Sequence, residues 1–383
     1  MRRVTQLPTS LLFAFLTLVT LHRTAVPAEP DSIQTYSWDL PKGFPKPYVP
    51  AANPMTAAKV ELGRYLFYDA RMSVNGKSSC ATCHKQELAF TDGRAVSAGT
   101  TGQLHSRSAM SLVNVAYSAA LTWSDPGMKN LEDQALVPMF GDHPVELGLR
   151  DGDGFVPMLR SDPKYHALFA RAFPADDDRF TVKNVTRALA SFERSIISAR
   201  SPYDRYHYGR DDSAVSDSAK RGEILFFNQH LSCFRCHSGF NFSDATVSES
   251  NARREIEFHN TGLYNIAGEL SYPAPNVGAY EHTKIAADVG RFKAPTLRNI
   301  AVTAPYMHDG SIAALEGVLD HYAAGGRTIE SGPRVGIGHD NPNKDRLIAG
   351  FLLSQQDRAD LIAFLESLTD EAVLHDPRFA NPW

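Results

Sequence analysis

Cysteine is scarce: the 383 residues contain 4. A disulfide-stapled scaffold is therefore excluded. Basic surplus is also missing, since the formal net charge is −4, and an electrostatic footprint for nucleic acid is absent. No run is long and apolar enough to span a bilayer. The longest, Leu11–Leu21, is broken by Thr17 and Thr20. Tryptophan is rare as well, with 3 residues. What is present is ordinary globular composition, 43% hydrophobic and 21% charged, which is neither disordered nor collagen-like. The length suits two or three domains. With 26 Gly and 23 Pro, many turns and irregular segments are expected.

The first residues form a recognisable unit. Arg2 and Arg3 precede the Leu11–Leu21 run, and Ala25-Val26-Pro27-Ala28 follows it with small residues. A basic flank, a short apolar centre and a small-residue exit predict a secretory signal peptide over 1–28. A membrane anchor would need roughly 20 apolar residues. Removing 1–28 takes away three Arg and no acid, so the mature chain is more acidic. The expectation is an exported, periplasmic protein with no stable membrane span.

The four cysteines fall in two places, Cys80-Ala-Thr-Cys83-His84 and Cys233-Phe-Arg-Cys236-His237. Both are C-x-x-C-H, the attachment signature of c-type haem. Two thiols on one turn reach the two vinyl groups of a porphyrin. The following His presents its imidazole to the iron. Zinc ligation, a thioredoxin-type pair and plain disulfides compete with this reading. Zinc would leave the adjacent His unexplained. The expected cofactors are two covalently bound c-type haems.

More than the motif is repeated. Gly63-Arg-Tyr-Leu-Phe67-Tyr68 precedes the first site, and Gly222-Glu-Ile-Leu-Phe226-Phe227 precedes the second. A helical apolar stripe closes each half: Val185, Ala188, Leu189, Phe192, Ile196 in one, and Leu361, Phe364, Leu365, Leu368 in the other. Ser354 is the expected N-cap of the second stripe. The fold is expected to be mainly α, with two tandem cytochrome c-like domains and long irregular loops. Their boundaries are 29–209 and 210–383, with a linker at Arg210–Ser218. Pro41–Pro54 is expected to drape over the surface.

These motifs carry a wider resemblance. The chain resembles the bacterial di-haem cytochrome c peroxidase superfamily, MauG-like branch. The matching landmarks are both C-x-x-C-H sites, Trp123, Leu131–Pro138, His143–Gly148, and Phe292–Asn299 leading into Thr303–Gly310. Tyr36-Ser-Trp38 and Gly43-Phe-Pro also look like the MbnH-like subgroup. The resemblance implies that the N-terminal haem is the peroxide site, with His84 proximal and Gln134 and Glu146 distal. Peroxide needs a base for its first proton and an acid for its departing oxygen, and a carboxylate does both. Where some relatives place a distal His ligand, this chain has Ser97–Thr101 and no ligand. The nearest candidate is His105, as a displaced sixth ligand or a surface residue.

At the C-terminal haem, His237 is the implied proximal ligand. Tyr322 stands where the peroxidase branch has Met and the MauG-like branch has Tyr. A phenolate favours high-valent iron, while a thioether favours reduced iron. Met307 and His321 are rival ligands, and His308 is expected nearby. Trp123 matches the family Trp that lies between the haems and can relay a hole. The family also has a calcium ion between the haems. Thr303 and Pro305 match its carbonyl donors, and Asn114 is the substitute for its Asn, because Arg107-Ser108 replaces the expected Arg-Asn pair.

The implied function is a MauG- or MbnH-like enzyme. It uses H2O2 to form a bis-Fe(IV)-type state that oxidises a residue, typically Trp, of a periplasmic partner protein. In the MbnH-like subgroup that partner is copper-associated. A rival function is a cytochrome c peroxidase fed by a small redox protein. A second rival is a non-enzymatic di-haem electron carrier.

Overall fold

The glycines shared by the two halves have a physical reason. A Cβ on Gly63 would lie 2.0 Å from the carbonyl oxygen of Ala188, and one on Gly222 would lie 1.9 Å from that of Asp360. In each case the next obstacle includes a phenylalanine Cβ at 2.8 Å, that of Phe192 or Phe364. Two helix pairs therefore cross backbone to backbone, Ala57–Tyr68 on Val182–Ser195 and Asp217–Phe226 on Gln355–Glu366. Only a residue without Cβ permits that approach.

The computed structural model describes Met1 and residues 36–150, 154–252, 256–268 and 270–383. Apart from Met1, the expected signal segment lies outside the described residues. Residues Thr35–Trp383 form one compact unit. It is mostly helix and irregular loop, as composition and periodicity suggested. Two small sheets complete it. Phe258–His259 pairs antiparallel with Phe292–Lys293, and Thr328–Ile329 with Gly336–Ile337.

The helices start where the sequence supplies caps. Thr56 Oγ1 accepts from the Lys59 amide at 3.2 Å. Ser216 and Thr181 cap the next two of these four helices in the same way. Ser354 caps Gln355–Glu366, with Asp357 completing a capping box. Both predicted apolar stripes are buried. Leu368 lies just beyond its helix and is still fully covered.

Burial organises the chain around two main apolar cores. One takes Leu62, Leu66, Phe67, Val185 and Phe192; the other takes Phe226, Phe242, Leu361 and Phe364. The sequence division is not clean, because Val373, Leu374 and Phe379 return from the C-terminus into the first core. The polar stretch after Arg210 ends early, since Ser216 already caps the helix at Asp217. The segment 41–54 is anchored rather than draped. Phe44 is buried against Tyr208 and Phe240, and Pro45 O accepts from the Tyr117 hydroxyl at 2.7 Å. Among the described residues, no helix is long and apolar enough to cross a membrane.

Candidate functional site

The C-x-x-C-H segments are short helical turns. Cys80–Cys83 is one turn begun by a Ser79/Thr82 capping box, and Cys233–Arg235 is a 3-10 turn. In each, the His amide donates to the carbonyl of the first Cys at 3.0 Å. The imidazoles are then pinned alike. His84 Nδ1 lies 2.8 Å from Phe90 O, and His237 Nδ1 lies 3.1 Å from Phe242 O. A ring nitrogen that meets a carbonyl carries the proton, so Nε2 is left as the lone-pair donor. Phe90 and Phe242 both hold left-handed backbone, with φ of 61° and 49°. That conformation is costly for a bulky residue, and here it aims the carbonyl at the imidazole. Burial lowers the affinity of both imidazoles for a second proton. Both are thus prepared as neutral ligands.

Near the first site, the residues 97–105 form a hairpin. His105 N donates to Ser97 O, and Ala98 bridges to Leu104. The hairpin is stitched to the Glu146 loop: Thr100 N donates to Glu146 O at 2.8 Å, and Val145 N donates to Gln103 Oε1 at 3.2 Å. Gly99 is obligatory, because a Cβ would lie 1.9 Å from Val145 O. This docking sets His105 Nε2 3.6 Å from Glu146 Oε1. Burial pushes the Glu146 carboxyl up to about 7. Burial, with His84 nearby, holds His105 below its usual value. Near neutral pH Glu146 can exchange between its two protonation states, beside an imidazole whose charged form burial disfavours. The stretch that lacks a distal His ligand thus delivers a His to the candidate acid. Gln134 ends the Leu131–Gln134 helix and is half-buried.

The second site opens on a cavity of ≈ 450 Å³, a size suited to a cofactor. Cys233, Cys236, His237 and Tyr322 line it, together with Trp123 and Met307. Burial, with Cys236 and Cys233 alongside, pushes the Tyr322 phenol above its ordinary range. Only a bound cation would make it a phenolate there. His321 does not line this cavity. It is buried, and burial drops its imidazole to about 4. His308 does line the cavity, stacked on Phe292 with centroids 3.6 Å apart, and its Nε2 is buried without a partner. A cavity lined by two thiols, a prepared imidazole and a buried phenol fits a c-type haem. The first site supplies the same thiols and imidazole.

Trp123 is held in place on this cavity. Its Nε1 donates to Ser108 O at 3.0 Å, and its carbonyl accepts from the Lys293 amide at 2.9 Å. Ser108 N in turn donates to His308 O, tying the loop that follows the first site to the loop at the second. The calcium donors are divided. Thr303 and Pro305 line the cavity, whereas Asn114 does not. Asn114 Oδ1 accepts from Ser198 N, and its Nδ2 donates to Ser198 O and Asn241 Oδ1. Its amide is engaged on both ends, so it does not fit the role of calcium ligand.

Several residues escaped the sequence reading. Lys293 is buried, donates from Nζ to Ala120 O at 2.7 Å, and is dropped by burial to about 7. Glu193 is buried with Oε2 unpartnered, and burial pushes it up to about 8. His259 lies 2.7 Å from both Asp244 and Asp345. One signal was available for part of this: Phe90-Thr-Asp92 and Phe242-Ser-Asp244 are the same kind of triplet in both halves.

Comparison with known proteins agrees with this geometry. A family description, di-haem cytochrome c peroxidase, matches residues 57–212. The methylamine utilization protein MauG of Methylorubrum extorquens is 35% identical over 84% of this chain and 81% of its own length. Cytochrome-c peroxidase IdrP1 of Denitromonas iodatirespirans is 34% identical over 86% of each. Among solved structures, a MauG-like protein associated with microbial copper homeostasis is 45% identical, with a TM-score of 0.88 over 91% of this chain and 99% of that one. The diheme peroxidase BthA of Burkholderia thailandensis shares the fold, with a TM-score of 0.61 at 21% identity. The chain belongs to the di-haem cytochrome c peroxidase family, and it is an H2O2-dependent di-haem oxidoreductase.

Proposed function

We propose that this chain is a periplasmic MauG-like enzyme that uses H2O2 to oxidise a residue of a partner protein, rather than drawing electrons from a small cytochrome. Cys80 and Cys83 would attach one haem with His84 as ligand. Cys233 and Cys236 would attach the other between His237 and Tyr322. The haems supply redox-active iron that exchanges electrons with peroxide.

The protein residues do the acid–base and positioning work. Glu146, ionised, takes the first proton of H2O2 and returns it to the departing oxygen. His105, 3.6 Å away, keeps a polar, uncharged neighbour beside that carboxyl. Gln134 is a further polar group for the same face. Trp123, fixed by Ser108 and Lys293, offers an oxidisable indole on the cavity wall. The two halves would be cytochrome c-like domains, arising by duplication.

The observation that carries this reading is Tyr322 on the cavity with His237. A hard oxygen donor favours the oxidised side of iron chemistry and opposes electron uptake. The 45% identity to a protein associated with copper homeostasis supports a copper-handling partner. Met307 on the same wall is the one feature that favours a plain peroxidase. The test is to add H2O2 to the diferric, haem-loaded protein without reductant and record its absorption. A long-lived change at both haems is expected. A reaction that needs prior reduction would overturn the proposal in favour of the peroxidase.

A further inference from the structure

Trp123 packs against an apolar cluster that contains Phe292, Tyr272 and Tyr264. The rings are closely spaced. Phe292 and His308, both on the cavity wall, are stacked at 3.6 Å. Tyr272 lies 6.3 Å from Phe292 and 6.5 Å from His308, centroid to centroid. Tyr264 lies 5.5 Å from Tyr272 in an edge-on contact. The row thus leads from the cavity to Tyr264.

The two tyrosines differ in one respect that decides their chemistry. The Tyr272 hydroxyl donates to an amide oxygen, Asn260 Oδ1, at 3.2 Å. An amide does not take up a proton near neutral pH. The Tyr264 hydroxyl donates to a carboxylate, Asp309 Oδ2, at 2.5 Å, and accepts from Arg334 at 2.8 Å. The guanidiniums of Arg334 and Arg327 also lie 5.4 Å and 6.0 Å from the Tyr264 ring centre. Two cations oppose a cationic radical on that ring. A neutral radical, with the proton passed to Asp309, escapes this repulsion. Tyr264 itself is buried, but the Arg334 that bonds its hydroxyl is 53% exposed, so the row ends one hydrogen bond beneath the surface.

We propose that Tyr264 is a proton-coupled redox residue that brings an oxidising equivalent from the haem cavity to just beneath the exposed Arg334, from where the partner protein draws on it. H2O2 is the oxidant and takes two electrons and two protons to become two waters. Over the full turnover both electrons come from the partner protein, one of them by way of Tyr264, and the two protons come from solvent. The Tyr264 O–H bond breaks, the proton moves to Asp309 Oδ2, and a neutral tyrosyl radical remains. An electron from the partner restores the phenol as the proton returns from Asp309. This rests on the reading that oxidising equivalents are stored until a partner is met.

The test uses the haem-loaded full chain, mixed with H2O2 without reductant and frozen for electron paramagnetic resonance. Wild type is expected to show a neutral tyrosyl signal. Tyr264→Phe should reduce it at least about tenfold. Asp309→Asn, which keeps the tyrosine and removes the proton acceptor, should do the same. The resting haem spectrum reports that each variant is loaded, and Asp309→Asn carries the test if Tyr264→Phe does not fold. A haem change in wild type without a tyrosyl signal, or a signal unaltered by either substitution, overturns this proposal alone. No haem change in wild type overturns both this proposal and the function on which it rests.

Discussion

Replacing Glu146 by Gln removes one ionisable group while keeping its size, and the structure gives the expected consequence a pH signature. Burial pushes this carboxyl up to about 7 from an ordinary 4.5. To accept the first proton of H2O2 it must be ionised. With a midpoint near 7, about one-tenth is ionised at pH 6 and about nine-tenths at pH 8. The second-order rate of the haem absorption change with H2O2 should therefore rise about tenfold between pH 6 and 8. An ordinary glutamate would be ionised across that whole range and give a flat profile. Burial and the nearby His84 shift any His105 step to lower pH, away from the Glu146 midpoint. In Glu146→Gln the pH step should vanish, and the rate should fall by about 10²–10⁴, the usual contribution of a positioned proton-transfer group. Stopped-flow absorbance on the diferric, haem-loaded protein measures both. A flat wild-type profile, or a variant within about threefold of wild type, would refute the assignment.

Tyr322→Met should raise the reduction potential of the second haem and shorten the life of its oxidised state; a potential unchanged in spectroelectrochemical titration would remove Tyr322 as ligand. Gly222→Ala should cost at least about 1–3 kcal/mol, because the new Cβ would lie 1.9 Å from Asp360 O at a helix crossing that cannot yield. Thermal unfolding followed by circular dichroism should show a Tm lower by at least about 3 °C. At His259 burial opposes the charged form, but Asp244 and Asp345, each 2.7 Å away, overcome it and raise the imidazole above its ordinary value. Its folded-state pKa lies above the unfolded value, so its stabilisation is complete below pH ~6.5 and is lost as pH rises through the raised value. Asp345→Asn should flatten that decline in urea melts between pH 7 and 10 and cost about 3 kcal/mol at pH 7.

Residues whose chemistry depends on local spacing were legible in the sequence. The C-x-x-C-H pairs, the glycine of each helix crossing, the Ser354 cap and the apolar stripes all follow from periods of three or four along one segment. Tyr322 and Trp123 needed a family resemblance, since nothing local distinguishes a cavity tyrosine from a core tyrosine. The His105–Glu146 approach was not legible. It depends on a hairpin at 97–105 docking onto a loop some forty residues away, through a backbone bond from Thr100, the Gln103 side chain and the close approach of Gly99, which form no local pattern. The surroundings of Asn114 were not legible for a similar reason. Its amide is taken by Ser198 and Asn241, both remote in sequence.

The two halves show which constraints they share and where they part. Each half builds its proximal side identically: a glycine crossing, a turn carrying two thiols, and a left-handed phenylalanine whose carbonyl fixes the imidazole tautomer. These features answer a shared demand, the presentation of a neutral Nε2 at a fixed angle, and any change costs packing or strain. Even the Phe-hydroxyl-Asp triplet is retained, yet its two aspartates now do different work. Asp92 accepts from Ser97 at 2.7 Å and so anchors the hairpin that carries His105. Asp244 instead holds His259 at 2.7 Å, placing a cationic ring beside Cys236. The divergence thus begins one residue pair beyond the shared frame. On the proposed reading it sends a proton-transfer group, Glu146, to one site and a hard oxygen donor, Tyr322, to the other. A carrier would need neither group. A peroxidase fed by a cytochrome would need only the first, and the proposal that peroxide chemistry at one half is tied to stored oxidising power in the other stands on both acting as proposed.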